Sequence, residues 1–463
     1  MSHLQVKFHT KQQSFRVSTN LSFFFNKTNT PYSAQKKLNF LSRYKVGESP
    51  FSVLGSVLSS DLNEVIHKLL EEEERLDEDS DKSQVEFDFL VAGELLRSTL
   101  LEHIHDKGLS VESVLLVEYF EKENAPELEL CLDHKDWMSG VQLDEDFILA
   151  GSYDCSVTVW DRKGDELVSS SVGHSEPVKD VAWIKHSKGD EKYFLSGSQD
   201  QNIILWKYEP SLLKVKCLFR CKGHSKSVEC LSVNRSGTKF VSGSWDCSIK
   251  LWTTSPDLEP GTKEVEEVEK LSSRKRQKVE KKGYHRTPKM TLCGHTEAVS
   301  GVSWLSEHEI CSGSWDHTIR TWDLRTGEEV SCLRGSKAIT SLDYSNLSRM
   351  VATGNVDRHI RLWDPRSEEG AVVKSSLTSH QGWVTSVRWS PLSPHLLVSG
   401  SLDNVVKTWD TRSPKTPLYD LTSHTDKVMC VDWSQSETIA SGGADNKIFL
   451  FSSNSGNIEQ KLE

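Results

Sequence analysis

The stretch 237–252, GTKFVSGSWDCSIKLW, constrains this chain most, because variants of it recur seven times. Each copy reads as an apolar strand, small residues, a tight turn carrying aspartate, and an alternating strand ending in an aromatic. The turn aspartates Asp154, Asp200, Asp246, Asp316, Asp357, Asp403 and Asp445 each precede an aromatic by six residues: Trp160, Trp206, Trp252, Trp322, Trp363, Trp409 and Phe451. From Trp160 onward these aromatics stand 41 to 46 residues apart, except for 70 residues between Trp252 and Trp322. A chain of 463 residues is too long for one compact core. Seven stacked units of this size account for its C-terminal two thirds.

Upstream of most turns a small residue precedes histidine: Gly173-His174, Gly223-His224, Gly294-His295, Ser379-His380 and Ser423-His424. The first copy has Asp133-His134, and the fifth has Gly335-Ser336 with no histidine. This pattern resembles the WD-repeat family, over roughly residues 127–455, and implies a mainly β fold: a seven-bladed propeller of four-stranded blades. In that family tryptophan, Ser or Thr, histidine and the turn aspartate form one hydrogen-bonded chain across a blade. Carried onto this sequence, the resemblance implies such chains for His174, Ser196, Asp200 and Trp206; His224, Ser242, Asp246 and Trp252; His295, Ser312, Asp316 and Trp322; and His380, Ser399, Asp403 and Trp409. Ala150 fills the serine slot of the first copy. A buried polar group without a partner costs about 1–3 kcal/mol, so blades two, three, four and six are expected to be stiff and blades one and five looser. The same trio could be misread as a catalytic triad, but a triad needs an exposed nucleophile and an oxyanion site. Repetition with a closing tryptophan favours a structural role, and no enzyme activity is expected.

The formal net charge of −11 argues against nucleic-acid binding by bulk electrostatics, though not against a local basic patch. Ten cysteines are scattered without a C-x-x-C pair or regular histidine partners, which reads as reduced thiols with no metal site and no cofactor. No run of about 18 apolar residues is present, so no membrane span is expected. The opening MSHLQVKFHTKQQ lacks a signal-peptide core, and we expect the chain on the reducing side of the membrane.

The first 122 residues read as a separate small domain, with residues 123–463 forming the propeller. Leu4, Val6 and Phe8 alternate with polar residues as in a strand, and Ser14–Val17 is a candidate hairpin partner. Residues 18–49, with Phe23-Phe24-Phe25 and Lys36-Lys37, carry no period and stand apart as an atypical insertion. Ser60 is a candidate cap for a helix in which Leu62, Val65, Ile66 and Leu69 fall on one face. An acidic loop, 71–83, follows, and then apolar segments at Val85–Val91, Leu95-Leu96 and Val114–Phe120. Strand, strand, helix, strand, short strand and strand is the order of a ubiquitin-like α+β roll.

The wording of Val85–Leu90, Gly93–Arg97 and Val117–Tyr119, directly ahead of seven repeats, resembles the family of ribosome-biogenesis WD-repeat factors with an N-terminal ubiquitin-like domain. Gly313–Arg320 and Asp357–Arg366 carry the same resemblance within the blades. It implies a non-catalytic assembly factor that joins Pescadillo and the block-of-proliferation WD-repeat protein on pre-60S particles, for maturation of 28S and 5.8S rRNA. It implies nuclear localisation, in nucleolus and nucleoplasm. It also implies that the ubiquitin-like domain engages the AAA ATPase midasin, where one glutamate completes the shell of the partner's Mg²⁺, a hard ion that prefers oxygen ligands. The motif 108–112, GLSVE, points to Glu112; the plain alternative is a solvated surface glutamate.

The long interval falls in 255–289, where an acidic run precedes Ser273–Lys282. Few large apolar residues occur there, so a disordered loop between blades three and four is expected. Arg274, Lys275, Arg276, Lys278, Lys281 and Lys282 are a candidate nuclear localisation signal; a solvated charge run, or salt-sensitive contact with rRNA phosphates, is the alternative. A rival class, substrate receptor of a cullin ubiquitin ligase, rests on the W-D-x-R matches Trp322–Arg325, Trp363–Arg366 and Trp409–Arg412. The repeat already demands W-D, so each match is cheap. No small-molecule substrate is indicated.

Overall fold

The computed structural model describes residues 3–9, 51–72, 86–110, 114–122, 124–171, 173–185, 191–255, 263–268, 280–366 and 373–452. Two compact units divide the chain, 1–124 and 125–463.

In the first unit a five-stranded sheet has the order Phe51–Leu54, His3–His9, Leu115–Glu121, Phe87–Val91, Glu94–Leu95. His3–His9 runs parallel to Leu115–Glu121 and antiparallel to Phe51–Leu54. The hairpin partner of the first strand is therefore Phe51–Leu54; Ser14–Val17 and the segment 18–49 lie outside the described residues, as does most of the acidic loop 71–83. The helix Ser59–Glu72 buries Leu62, Ile66 and Leu70, spaced by four, against Phe87, Phe89 and Val117 of the sheet. Ser60 sits inside its first turn and not at the cap; Asp61 closes the helix start by accepting from the Leu58 N–H at 2.9 Å. Asn63 ties helix to sheet, accepting from the Phe87 N–H at 2.7 Å and donating to its carbonyl at 2.9 Å. A second helix, Leu100–Lys107, was missed by the sequence reading. A reciprocal capping box between Thr99 and Glu102 starts it, and Gly108, at φ 62°, ends it.

The second unit holds seven sheets whose innermost strands are Met138–Leu143, Val178–Ile184, Val228–Val233, Val299–Trp304, Ile339–Ser345, Val384–Trp389 and Val428–Asp432. Glu127–Asp133, the strand that enters the unit, pairs antiparallel with Lys447–Ser452 and so supplies the outer strand of blade seven. This clasp joins the two ends of the repeat array and removes an open edge.

The residue after each turn aspartate is left-handed: Cys155, Gln201, Cys247, His317, Arg358, Asn404 and Asn446 have φ between 62° and 72°. That conformation costs about 1–2 kcal/mol for a residue with a Cβ. The aspartate offsets it by accepting the N–H two residues on, as Asp246 does from Ser248 at 3.0 Å and Asp316 from Thr318 at 2.9 Å. Blades also approach too closely for a side chain at the glycine three residues before the turn aspartate. A Cβ on Gly400 would meet Val428 Cγ1 at 2.7 Å, and one on Gly442 would meet Met138 Cβ at 2.9 Å across the clasp.

The interval 255–289 differs from its expectation. Met290–Cys293 is the fourth strand of blade three, so the interval joins two strands of one blade and does not separate blades three and four. Within it, Lys263–Val268 and Glu280–Arg286 are strands, an antiparallel pair added to the outer edge of blade two. Its backbone register pairs Glu266 with Lys282 and Glu267 with Lys281. Arg286 anchors the return: it donates to the carbonyls of Thr253 (2.8 Å) and Ser255 (2.7 Å), with its guanidinium 4.0 Å from the Phe219 ring centroid.

Candidate partner-binding face of the propeller

Inside blades two, three, four and six one chain of hydrogen bonds repeats. In blade three the Trp252 indole N–H donates to Ser242 Oγ at 2.9 Å, Ser242 meets His224 Nε2 at 2.8 Å, and His224 Nδ1 meets Asp246 at 2.9 Å. Indole is a donor only, and an ionised carboxylate an acceptor only. The chain therefore runs one way: Trp to Ser, Ser O–H to Nε2, and Nδ1–H to aspartate. Blades two, four and six repeat it through Trp206, Ser196, His174 and Asp200; Trp322, Ser312, His295 and Asp316; and Trp409, Ser399, His380 and Asp403, with every link between 2.7 and 2.9 Å. Burial pushes Asp246, Asp316 and Asp403 up, but hydrogen bonds from the histidines and from backbone N–H groups outweigh it and hold these carboxyls well below the usual range. The four serines are fully buried. None can meet a substrate, so the trio is not a nucleophilic site.

The other blades vary the chain. Blade seven keeps His424, Ser441 and Asp445, but Phe451 offers no N–H. In blade one His134 turns to Thr158 Oγ1 at 3.3 Å, because Ala150 has no hydroxyl. Blade five is braced differently from the looseness expected of it: Arg361 grips Asp357 with two bonds, at 2.9 and 2.5 Å, and the Trp363 indole N–H still donates to Thr353 at 2.9 Å. A guanidinium four residues after the aspartate replaces the histidine.

Side chains of the innermost strands tie each blade to the next. Ser139, Ser300 and Thr385 donate to the carbonyls of Val178, Ile339 and Val428 in the following blade, at 2.5, 2.5 and 2.8 Å. Thr340 donates likewise to Val384. Asp180 accepts from the Leu231 N–H at 2.7 Å, Trp304 donates to the Ser232 carbonyl at 3.0 Å, and Asp432 accepts from Leu143 across the clasp at 2.9 Å. All seven junctions thus carry a polar tie as well as apolar packing.

These strands enclose a central cavity of about 280 Å³. Its mouth, on the side of the aspartate turns, is rimmed by Tyr153, Trp245, Trp315 and Trp383. Trp245 and Trp383 are 44% and 46% exposed. Lys179 donates to Tyr153 Oη at 3.0 Å and lies 4.0 Å from Glu229.

The remaining residues singled out in the sequence fall elsewhere. Glu112 lies outside the described residues, as do Arg274, Lys275, Arg276 and Lys278; Lys281 and Lys282 lie on the strand Glu280–Arg286. The W-D-x-R arginines fold back on their own repeats, Arg325 on Asp323, Arg366 on Asp364 and Arg412 on Asp410. Local turn chemistry accounts for each of them. All ten cysteines are free. Among the described residues no cluster of His, Cys, Asp and Glu could hold a metal ion, and no helix is long and apolar enough to cross a membrane.

Seven four-stranded blades, the second extended by an added pair, closed by a clasp and with the Trp–Ser–His–Asp chain or a variant in each, define a WD-repeat propeller. Models of known families agree: the WD domain, G-beta repeat, matches at 128–161, 165–207, 215–253, 286–323, 327–364, 371–410 and 415–452. The NLE (NUC135) domain matches at 37–104, which includes the later part of the segment set apart as atypical. Among curated proteins, the Ribosome biogenesis protein WDR12 homolog of Nematostella vectensis is 45% identical over 412 residues, 88% of this chain and 96% of the relative. Proteins of the same name from Ixodes scapularis and Aedes aegypti are 43% and 39% identical, over 88% and 93% of this chain and 96% of each relative. The chain belongs to this WDR12 family of ribosome biogenesis proteins.

Proposed function

We propose that this protein is a non-catalytic assembly factor of the large ribosomal subunit, working in the nucleolus and nucleoplasm. The observation that carries the proposal is identity of 45% to a ribosome biogenesis protein over 96% of that protein's length, spanning propeller and N-terminal domain together. In this reading the chain joins Pescadillo and the block-of-proliferation WD-repeat protein on pre-60S particles, for maturation of 28S and 5.8S rRNA. The N-terminal domain docks on midasin, with Glu112 as an oxygen ligand to the partner's Mg²⁺. The cluster Arg274, Lys275, Arg276, Lys278, Lys281 and Lys282 directs nuclear import. Seven fully tied blade junctions support the scaffold role: they make a stiff ring suited to holding partners.

Purification of the tagged chain from nucleoli tests the proposal, with recovery of Pescadillo and pre-60S proteins expected. Recovery of a cullin ligase adaptor in their place would overturn it. The Glu112 assignment predicts that Glu112→Ala leaves the thermal midpoint unchanged and abolishes magnesium-dependent binding to midasin. Undiminished binding would remove that role.

A further inference from the structure

The innermost strands bring one residue per blade to the same height, opposite the residue just before the hydroxyl position of the second strand. In blades one to four that residue is uncharged: Gln142, Ala182, Ser232 and Ser303. In blades five, six and seven it is Asp343, Arg388 and Asp432, a cation set between two carboxylates. Asp180, two residues ahead of this height in blade two, lines the central cavity together with Arg388. Each carboxylate holds a blade junction by accepting a backbone N–H: Asp180 from Leu231 at 2.7 Å, Asp343 from Trp389 at 2.8 Å and Asp432 from Leu143 at 2.9 Å. Arg388 differs: its Nη1 donates to the Val387 carbonyl, on its own strand, at 3.3 Å, which spends one of five N–H groups.

Three carboxylates and one guanidinium thus share the channel, and their energetics are mutual. Burial disfavours the Arg388 charge, but Asp343, Asp180 and Asp432, in that order, outweigh it and hold the guanidinium more firmly protonated than usual. Burial pushes the Asp180 carboxyl up to about 6 and raises that of Asp343 as well; in both, Arg388 is the strongest influence in the opposite direction. The thiols nearby do not share the load. Burial pushes Cys430 up to about 12 and Cys230 well above its ordinary value, so both are neutral. Lys179, which reaches the rim through Tyr153, lies 4.0 Å from Glu229, and these two balance each other.

We infer that Arg388 is the shared counter-ion of the channel carboxylates, a positioning residue that keeps the junctions of blades two and three, five and six, and seven and one tied while their aspartates are ionised. A carboxylate taken out of water is costly, and removing its cation leaves that cost uncompensated. The Asp180 carboxyl has a folded pKa above its unfolded value of about 4, so its ionisation lowers stability as pH rises from about 4 through about 6. Without Arg388 the folded value climbs further, and the penalty is largest at and above neutral pH. Arg388 therefore sets how stable the ring is at neutral and alkaline pH.

Equilibrium unfolding of the full-length chain in urea, at about pH 5.5 and about pH 8, tests the role. Arg388→Met removes the charge and keeps an unbranched, apolar stem. Its unfolding constant relative to wild type should rise about tenfold more at the higher pH than at the lower, one pKa unit being a factor of ten. Arg388→Lys, which restores a cation, should return most of the wild-type pH profile. Asp180→Asn or Asp343→Asn in the Arg388→Met background should recover part of the loss at the higher pH, because the asparagine Oδ1 still accepts the junction N–H. Should Arg388→Met alone not fold, the same two double variants decide: folding restored by either supports the pairing, and continued failure of both overturns it. An equal loss at both pH values, a larger loss at the lower one, no recovery with either asparagine, or Arg388→Lys as damaging as Arg388→Met would each overturn the role.

Discussion

Blade four and blade five lie side by side and solve the same problem with different chemistry. Blade four runs Trp322, Ser312, His295 and Asp316 as one chain, with links of 2.8–2.9 Å. Blade five has Ser336 where blade four has His295, and Arg361 holds Asp357 directly, so the Trp363–Thr353 bond and the aspartate no longer belong to one chain. Both keep the left-handed residue after the turn, His317 at φ 69° and Arg358 at φ 72°. What the fold requires, then, is an ionised aspartate gripped in the turn and a buried indole N–H with an acceptor. Histidine is one way of linking those two demands, and it makes them interdependent; arginine meets them separately.

The largest consequence is acid sensitivity. Asp246, Asp316 and Asp403 have folded-state pKa values held below the unfolded value of about 4. Their stabilisation is present above about pH 4 and is lost as pH falls through that value toward the folded pKa. The thermal midpoint should drop steeply there, and Asp316→Asn should flatten the slope while lowering stability at neutral pH. Next comes Ser312→Ala, which leaves the Trp322 N–H and His295 Nε2 without their partner and should cost about 2–4 kcal/mol in urea unfolding. Gly400→Ala tests blade spacing instead of the chain: its Cβ meets Val428 and Val431, and a loss of about 1–3 kcal/mol is expected. Arg361→Ala should cost about 1–2 kcal/mol, because it strips Asp357 of both its strong bonds. Arg366→Ala, whose partner pair is exposed, should leave the melting curve unchanged. One change is a gain: Ala150→Ser in blade one supplies the missing hydroxyl beside Trp160 and should add about 0.5–1 kcal/mol.

The seven turns and their aromatics were legible in the sequence because each blade writes them within a few residues, at one offset. The clasp by Glu127–Asp133 has a signal of a related kind: one strand precedes the first repeat, and the last repeat has only three strands of its own. The junction ties were not, since Asp180 and Leu231 or Asp432 and Leu143 are partners from different repeats with no shared local pattern. Arg361 was visible four residues after Asp357, but nothing nearby marks an arginine as a histidine's replacement. Two signals were present and unread. Thr99-Leu100-Leu101-Glu102 spells the capping box of the second helix, and Ser-Trp-Asp in blades three and four places a tryptophan beside each turn. The strands within 255–289 were hidden by composition: Glu264–Glu267 and Lys281-Lys282 carry the pattern of a solvated charge run, although their backbones pair as strands.

Maturation of rRNA in cells tests the proposed role most directly. Depleting the protein from cells and following pulse-labelled rRNA should show mature 28S and 5.8S failing to form from accumulating precursors, while 18S continues to mature. Normal production of 28S and 5.8S in depleted cells would contradict it.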